Sequence, residues 1–238
     1  MLLLRAILPA VLLLHAILPA EAAEPPPAGL RGWPLREVRA SGLGAWATLC
    51  DTGESFSPGR EDLLAHHRLI QRALGACLPV RFPTWLADEP ALAALLEQRR
   101  VELFDALARV RGRVELAVTA CWTSEAAADA PLRSGAPGRR FLEERRRRYA
   151  VADQRRAEAQ RLAKLLERQP EVVEARHRLC PSQAIGLSSA VLVDAEHAEA
   201  VRDRLPRELG QNVRILVNGP WPPYSFASLD SAPRPREV

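Results

Sequence analysis

Val11 to Leu18 is apolar at every position except His15, and Pro19 closes the run. A bilayer span needs about 20 such residues, so this stretch is too short to be one. It reads instead as a buried first strand, an apolar run ended by a proline. Leu2 to Ala10 recurs as Leu12 to Ala20 with one difference in nine positions, Arg5 against His15. Residues 1–10 therefore read as a duplicated or over-extended start. A competing reading takes residues 1–22 as a signal peptide, because Ala20-Glu21-Ala22 is an A-x-A pattern.

With 238 residues the chain has room for one large or two small domains. Its 47% apolar and 26% charged residues exclude a disordered chain. Aromatics are only 5%, so the core must come mainly from Leu, Val and Ala. Cys50, Cys77, Cys121 and Cys180 contain no C-x-x-C pair, which excludes the common zinc spacing, and they are too few for a disulfide framework. They read as buried, reduced thiols.

The element order predicts an α+β protein. After the first strand, Glu24 to Gly29 is a proline-stiffened connector, and Leu35–Val38 and Leu43–Leu49 are extended. A helix over Asp62–Leu74 would put Leu63, Ile70 and Leu74 on one face and stop at Gly75. Leu78–Phe82 reads as a short strand. Asp88 caps a helix predicted to run to Val110, with Leu92, Leu96, Leu103, Leu107 and Val110 as its apolar stripe. Val114–Trp122 alternates as a half-buried strand does. The Ala/Pro/Gly/Ser-rich segment 126–138 is the expected linker. Beyond it come a polar helix over Arg139–Arg168, resuming after Pro170 to Leu179, then a strand at Ala184–Val193, a helix at Ala195–Leu209 and a strand at Val213–Val217. The expected division is an N-terminal domain over 11–125, the linker, a C-terminal domain over 139–226 and a flexible tail over 227–238. Each domain is expected to have helices packed on a mainly antiparallel sheet.

Of the 33 basic residues all but Lys164 are arginine, and the net charge is +4. Residues 139–178 hold 13 basic and 7 acidic side chains, so the positive excess sits on one helix-rich segment. Arg145 to Arg148 are successive and spread around the helix, which argues for a solvated face rather than a nucleic-acid stripe. The alternative function is an exported or peripheral module that uses this helix on an anionic partner.

Catalytic signatures are missing: no phosphate-binding glycine loop, no H-E-x-x-H and no G-x-S-x-G occurs. His66 and His67 are adjacent, so on a helix they point about 100° apart and cannot easily share one metal. They read as one histidine at the core edge, hydrogen-bonded locally, and one in solvent. No enzyme activity, metal or cofactor is expected.

Gly219-Pro220-Trp221-Pro222-Pro223-Tyr224-Ser225-Phe226 is the most unusual string in the chain. Its prolines fix φ and suggest an extended polyproline II segment with Trp221 and Tyr224 on one side. It fits either an aromatic clasp on the chain's own domain or an anchor for a partner.

Following the strand Val213–Val217, this string resembles the signature of the gas vesicle protein L/F family (GvpL/GvpF). Leu63-Leu64-Ala65-His66-His67, Leu78-Pro79-Val80-Arg81-Phe82, Gly112-Arg113-Val114-Glu115-Leu116 and Phe141-Leu142 follow the family's order, and the resemblance spans Val11 to Phe226. Pro83-Thr84 departs from the family's usual Gly-Thr, and Leu14-His15 from its usual tyrosine. The resemblance implies two α+β domains, the first like a modified ferredoxin-like fold. It also implies a cytoplasmic, vesicle-associated accessory protein that binds the shell protein GvpA and other accessory proteins during nucleation and assembly. Nucleic acid and a membrane span are not expected. The residues marked for partner contact are Trp221, Pro222, Pro223, Tyr224 and Phe226, with Arg81 and Phe82.

Overall fold

Two antiparallel sheets organise the chain. The computed structural model describes residues 11–22, 24–50, 58–122, 137–180, 184–210 and 213–227. Residues 1–10 of the repeat, residues 126–136 of the expected linker and residues 228–238 of the expected tail lie outside the described residues.

The first sheet has the order β2 (Leu35–Ala40), β3 (Leu43–Cys50), β1 (Val11–Pro19), β4 (Leu78–Pro79), and β5 (Trp85–Leu86) also pairs with β1. All of these pairings are antiparallel. The apolar run is thus the inner strand β1, with Leu12, Leu13, Leu14, Ile17 and Leu18 all buried. Register against β3 shifts between Leu14 and Ala16, so His15 is the extra residue of a β-bulge.

Helix α1 (Arg60–Gln71) contributes Ile70 and Ala73, just past its end, to a cluster with Ala16, Leu18, Trp46 and Cys77. Of its expected face Ile70 is buried, whereas Leu63 and Leu74 are exposed. Asp62, His66, Leu69 and Ile70 point inward, whereas Leu63 and Leu64 are exposed. The inward positions include two polar side chains, which disguised the face in the sequence. The helix expected over Asp88–Val110 is two: α2 (Glu89–Gln98) and α3 (Arg100–Val110), broken at Arg99 with φ −103° and ψ 18°. Asp88 caps α2 as expected, accepting from the Ala91 N–H at 2.8 Å. The apolar stripe from Leu92 to Val110 is buried across the break.

The second sheet has the order β7 (Val172–Leu179), β8 (Ile185–Asp194), β6 (Arg113–Trp122), β9 (Val213–Trp221). Its helices are α4 (Pro137–Glu167), against β7 and β8, and α5 (Ala198–Leu209), against β9. Pro137 and Gly138, expected in the linker, already belong to α4. Residues 172–179 form a strand rather than a resumed helix: Val172 and then Glu174 to Leu179 pair with β8, with a register shift at Val173.

The described residues form two compact units, one of those up to Val114 together with those from Pro222, the other of those within Glu115–Trp221. The expected domain limits differ at both ends. Most of β6 leaves the first unit because its alternating residues pair with β9. Pro222 to Phe226 leave the second: they group with the first, on whose buried cluster Tyr224 packs.

Candidate functional site

The proline-rich string is not an extended polyproline segment. Trp221 ends β9, opposite Glu115. Gly219 has φ 131°, and a Cβ there would lie 2.8 Å from the Glu115 carbonyl oxygen, so only glycine fits. After Trp221 the chain turns. The Tyr224 N–H donates to Pro222 O at 2.7 Å, and the Phe226 and Ala227 N–H groups both donate to Pro223 O at 3.0 Å. Pro222, Pro223 and Phe226 are buried, Tyr224 is half-buried and Trp221 is exposed. Within the first unit the segment is therefore a clasp. Tyr224 packs on the cluster of Ala16, Leu18, Trp46, Ile70, Ala73 and Cys77, and its hydroxyl lies 3.3 Å from His67 Nδ1.

Beneath that clasp runs a buried polar chain absent from the sequence-based expectations. His15 Nδ1 is 2.8 Å from His66 Nδ1, and His15 Nε2 is 2.7 Å from Thr48 Oγ1. The Leu30 N–H donates to Thr48 Oγ1 at 3.0 Å, and His66 Nε2 is 3.1 Å from Val80 O. A carbonyl oxygen only accepts, so His66 Nε2 carries a proton and its Nδ1 accepts. His15 Nδ1–H then donates to His66, and Thr48 O–H donates to His15 Nε2. Every polar group is satisfied with both rings neutral. Burial agrees with this: desolvation lowers His15 to about 3 and His66 to about 4. His66 is thus bonded 51 residues away rather than locally. His67, expected in solvent, is half-buried against Tyr224, and burial lowers its pKa too.

Phe82 lies over this chain, its ring centroid 4.9 Å from that of His66, and packs on Leu13, Leu30, Cys50 and Leu69. Arg81 is exposed, and its carbonyl accepts from Thr84 Oγ1 at 2.6 Å. The Phe82–Pro83 peptide is cis. Nearby, Arg31 Nε and Nη2 donate to the two Asp62 carboxylate oxygens at 2.8 and 2.7 Å. This hydrogen-bonded guanidinium holds the Asp62 carboxyl below the usual range. Asp62 also accepts from the Gly59 N–H at 2.9 Å, fixing the start of α1.

Above these groups α1 turns Leu63 and Leu64 to solvent, each one helical turn from His67. Among the described residues no group of three His, Cys, Asp or Glu side chains is placed to hold a metal. No described helix is long and apolar enough to cross a membrane.

The sequence model of the family described as "Gas vesicle synthesis protein GvpL/GvpF" matches residues 11–228, nearly the whole chain. The chain belongs to the GvpL/GvpF family. It is 30% identical over 217 residues to gas vesicle protein F of Streptomyces sp. (strain CB03234), covering 82% of this chain and 90% of that protein. It is 29% identical over 243 residues to gas vesicle protein L1 of Halobacterium salinarum, covering 87% and 86% of the two. Crystal structures of GvpF share the fold. That from Anabaena sp. PCC7120 superposes with a TM-score of 0.76 at 17% identity, covering 93% of this chain and all of that one. That from Microcystis aeruginosa gives 0.70 at 17% identity, with 93% of this chain covered. Membership in the GvpL/GvpF family places the chain in gas vesicle formation, and the two-sheet α+β architecture agrees with its structural neighbours.

Of the residues marked for partner contact, Trp221, Tyr224, Arg81 and Phe82 keep accessible surface, and Pro222, Pro223 and Phe226 are buried. The sequence reading missed His15 and Thr48. One signal was available: a lone histidine inside an apolar strand must find a hydrogen-bond partner.

Proposed function

We propose that this chain is a non-enzymatic, cytoplasmic accessory factor that binds the hydrophobic shell protein GvpA. With other accessory proteins it delivers GvpA into vesicle nucleation and assembly, and it stays associated with the vesicle. A shell subunit with a large apolar face aggregates unless that face is covered before incorporation. The observation that carries the reading is the outward face of α1. Leu63 and Leu64 stand half-exposed there, beside His67 and the clasp residue Tyr224. An apolar helix face bordered by an aromatic hydroxyl suits contact with another apolar helix or strand. Arg81 and Phe82 supply further contacts on this unit, and Trp221 supplies one on the second unit. Pro222, Pro223 and Phe226 support the clasp from beneath.

Co-expression with GvpA, followed by pull-down and electron microscopy, tests the reading. Leu63→Ser with Leu64→Ser is expected to abolish co-purification and vesicles while the protein stays folded, since about half of each residue's surface faces solvent. A folded double variant that still co-purifies with GvpA and forms vesicles would sink the assignment of this face.

A further inference from the structure

Helix α4 is much longer than the surface it covers. Its 31 residues extend for roughly 46 Å at about 1.5 Å per residue. Yet its buried side chains, Ala159, Leu162 and Leu166, lie in its last third. Arg155 reaches the sheet, its guanidinium carbon 5.5 Å from the Trp122 ring centroid. Among residues 138–154 no described side chain is buried.

That projecting half has an ordered face. Phe141, Arg145, Tyr149, Ala152 and Arg156 recur at steps of four, four, three and four, which is one side of a helix, and Leu142 borders them. Phe141, Leu142 and Tyr149 are all more than half exposed. Arg145 donates to the Tyr149 hydroxyl at 3.2 Å and lies over its ring at 5.5 Å, so the stripe is internally organised. Two of the segment's three acidic side chains are engaged within the helix, Glu143 with Arg139 and Glu144 with Arg148, while Asp153 makes no ion pair among the described residues. Arg145, Arg146 and Arg147 make no ion pair among the described residues. Residues 139–156 carry eight arginines against three carboxylates.

We propose that this half of α4 docks an acidic amphipathic helix of another protein. In that complex Phe141, Leu142 and Tyr149 are the apolar anchors, and Arg145 and Arg156 pair with the partner's carboxylates. Charge complementarity selects the occupant. A second copy would set the arginines of one helix against those of the other, which is repulsive. Nucleic acid is the poorer match, because Phe141 and Tyr149 stand about 12 Å apart with an arginine between them, too far to stack successive bases. Leu142 and Tyr149 are seven residues apart, the heptad spacing of helix-on-helix recognition, with Phe141 beside them and basic flanks.

The test uses the full chain and a fluorescein-labelled synthetic helix of three heptads, with Leu at a and d and Glu at e and g. Anisotropy titration is expected to show binding that weakens as salt rises. Hydrogen exchange should show new protection confined to residues 139–156. Phe141→Ser with Tyr149→Ser, and separately Arg145→Glu with Arg156→Glu, should each weaken binding by about tenfold or more with unchanged melting. Absence of binding, or protection elsewhere, overturns the proposal. So does equal affinity for the same peptide with Lys in place of Glu, for oligo(dT), or for phosphatidylglycerol vesicles. These controls need no variant; if a double variant is misfolded, the single Arg145→Gln substitution takes its place, and wild-type affinity in it counts against the proposal.

Discussion

His15 and His66 face each other Nδ1 to Nδ1 at 2.8 Å inside the first unit, and each is tautomerically fixed by what lies behind it. Val80 O demands a proton on His66 Nε2, and the proton order then runs one way from Thr48 through His15 to His66. The β-bulge at His15 makes this possible. It adds a residue to β1 without reversing the strand's facing, so His15 reaches α1 while Ala16 and Leu18 still pack against Ile70 of the same helix.

Acid is therefore expected to destabilise the fold well before ordinary carboxylates titrate. Both histidines fall from 6.5, to about 3 for His15 and about 4 for His66, chiefly because burial disfavours the charged ring. Below pH 6.5 the unfolded chain binds protons that the folded one refuses. The stabilisation is complete above that pH and declines toward pH 4 and 3. Each histidine costs up to about 1.4 kcal/mol per pH unit in that window. Asp62, depressed by its Arg31 hydrogen bonds, loses its contribution only as pH falls further. Urea midpoints at pH 7.5, 6 and 5 check this; a flat profile over that range would contradict the neutral pair.

Thr48 is the joint of the chain, because its hydroxyl donates to His15 Nε2 and accepts from the Leu30 N–H. Thr48→Val keeps the shape and orphans both partners. At about 1–3 kcal/mol for each buried unsatisfied group, the loss should be a few kcal/mol. Thr48→Ser retains the hydroxyl and should recover most of it. Comparing both variants by denaturant titration separates the hydrogen bonds from the methyl packing.

Two nearby glycines should respond differently to alanine. A Cβ on Gly29 would sit 2.1 Å from Thr48 Oγ1, so Gly29→Ala must displace the hydroxyl that the chain depends on. At Gly32, φ is 77° and nothing lies within 4 Å of a Cβ, leaving only left-handed strain of about 1 kcal/mol. Thermal melts should rank Gly29→Ala clearly below Gly32→Ala, and the reverse order would be incompatible with the Gly29–Thr48 contact.

Much of the α+β order was legible because it rests on local signals. The apolar run of β1, the alternation of β6 and the Asp88 cap each depend on neighbours in sequence. What failed depended on distant partners. Glu174, Ala175, Arg176, Arg178 and Leu179 are good helix formers, yet β8 holds residues 172–179 as an edge strand, where weak burial hides the alternation. The break at Arg99 has no glycine or proline to mark it. His15 and His66 looked like minor polar interruptions, because only the folded register brings positions 51 residues apart together. The proline string was conspicuous, but its geometry was not: burying Phe226 bends it at Pro223.

That bend separates two roles within one string. Phe226, which belongs to the first unit, is fully buried, whereas Trp221 is exposed at the end of β9. Phe226→Ala should cost about 3–5 kcal/mol through lost burial and the cavity left behind. Trp221→Ala removes a side chain that is 38% exposed, so its stability cost should be the smaller of the two. If Trp221 contacts a partner, its alanine variant should lose GvpA co-purification while remaining folded. Loss of vesicles in Phe226→Ala should instead track loss of soluble, folded protein. Measuring melting temperature, soluble yield and co-purification on both variants distinguishes these outcomes. A Phe226→Ala protein as stable as the parent would show that the clasp does not depend on its buried aromatic.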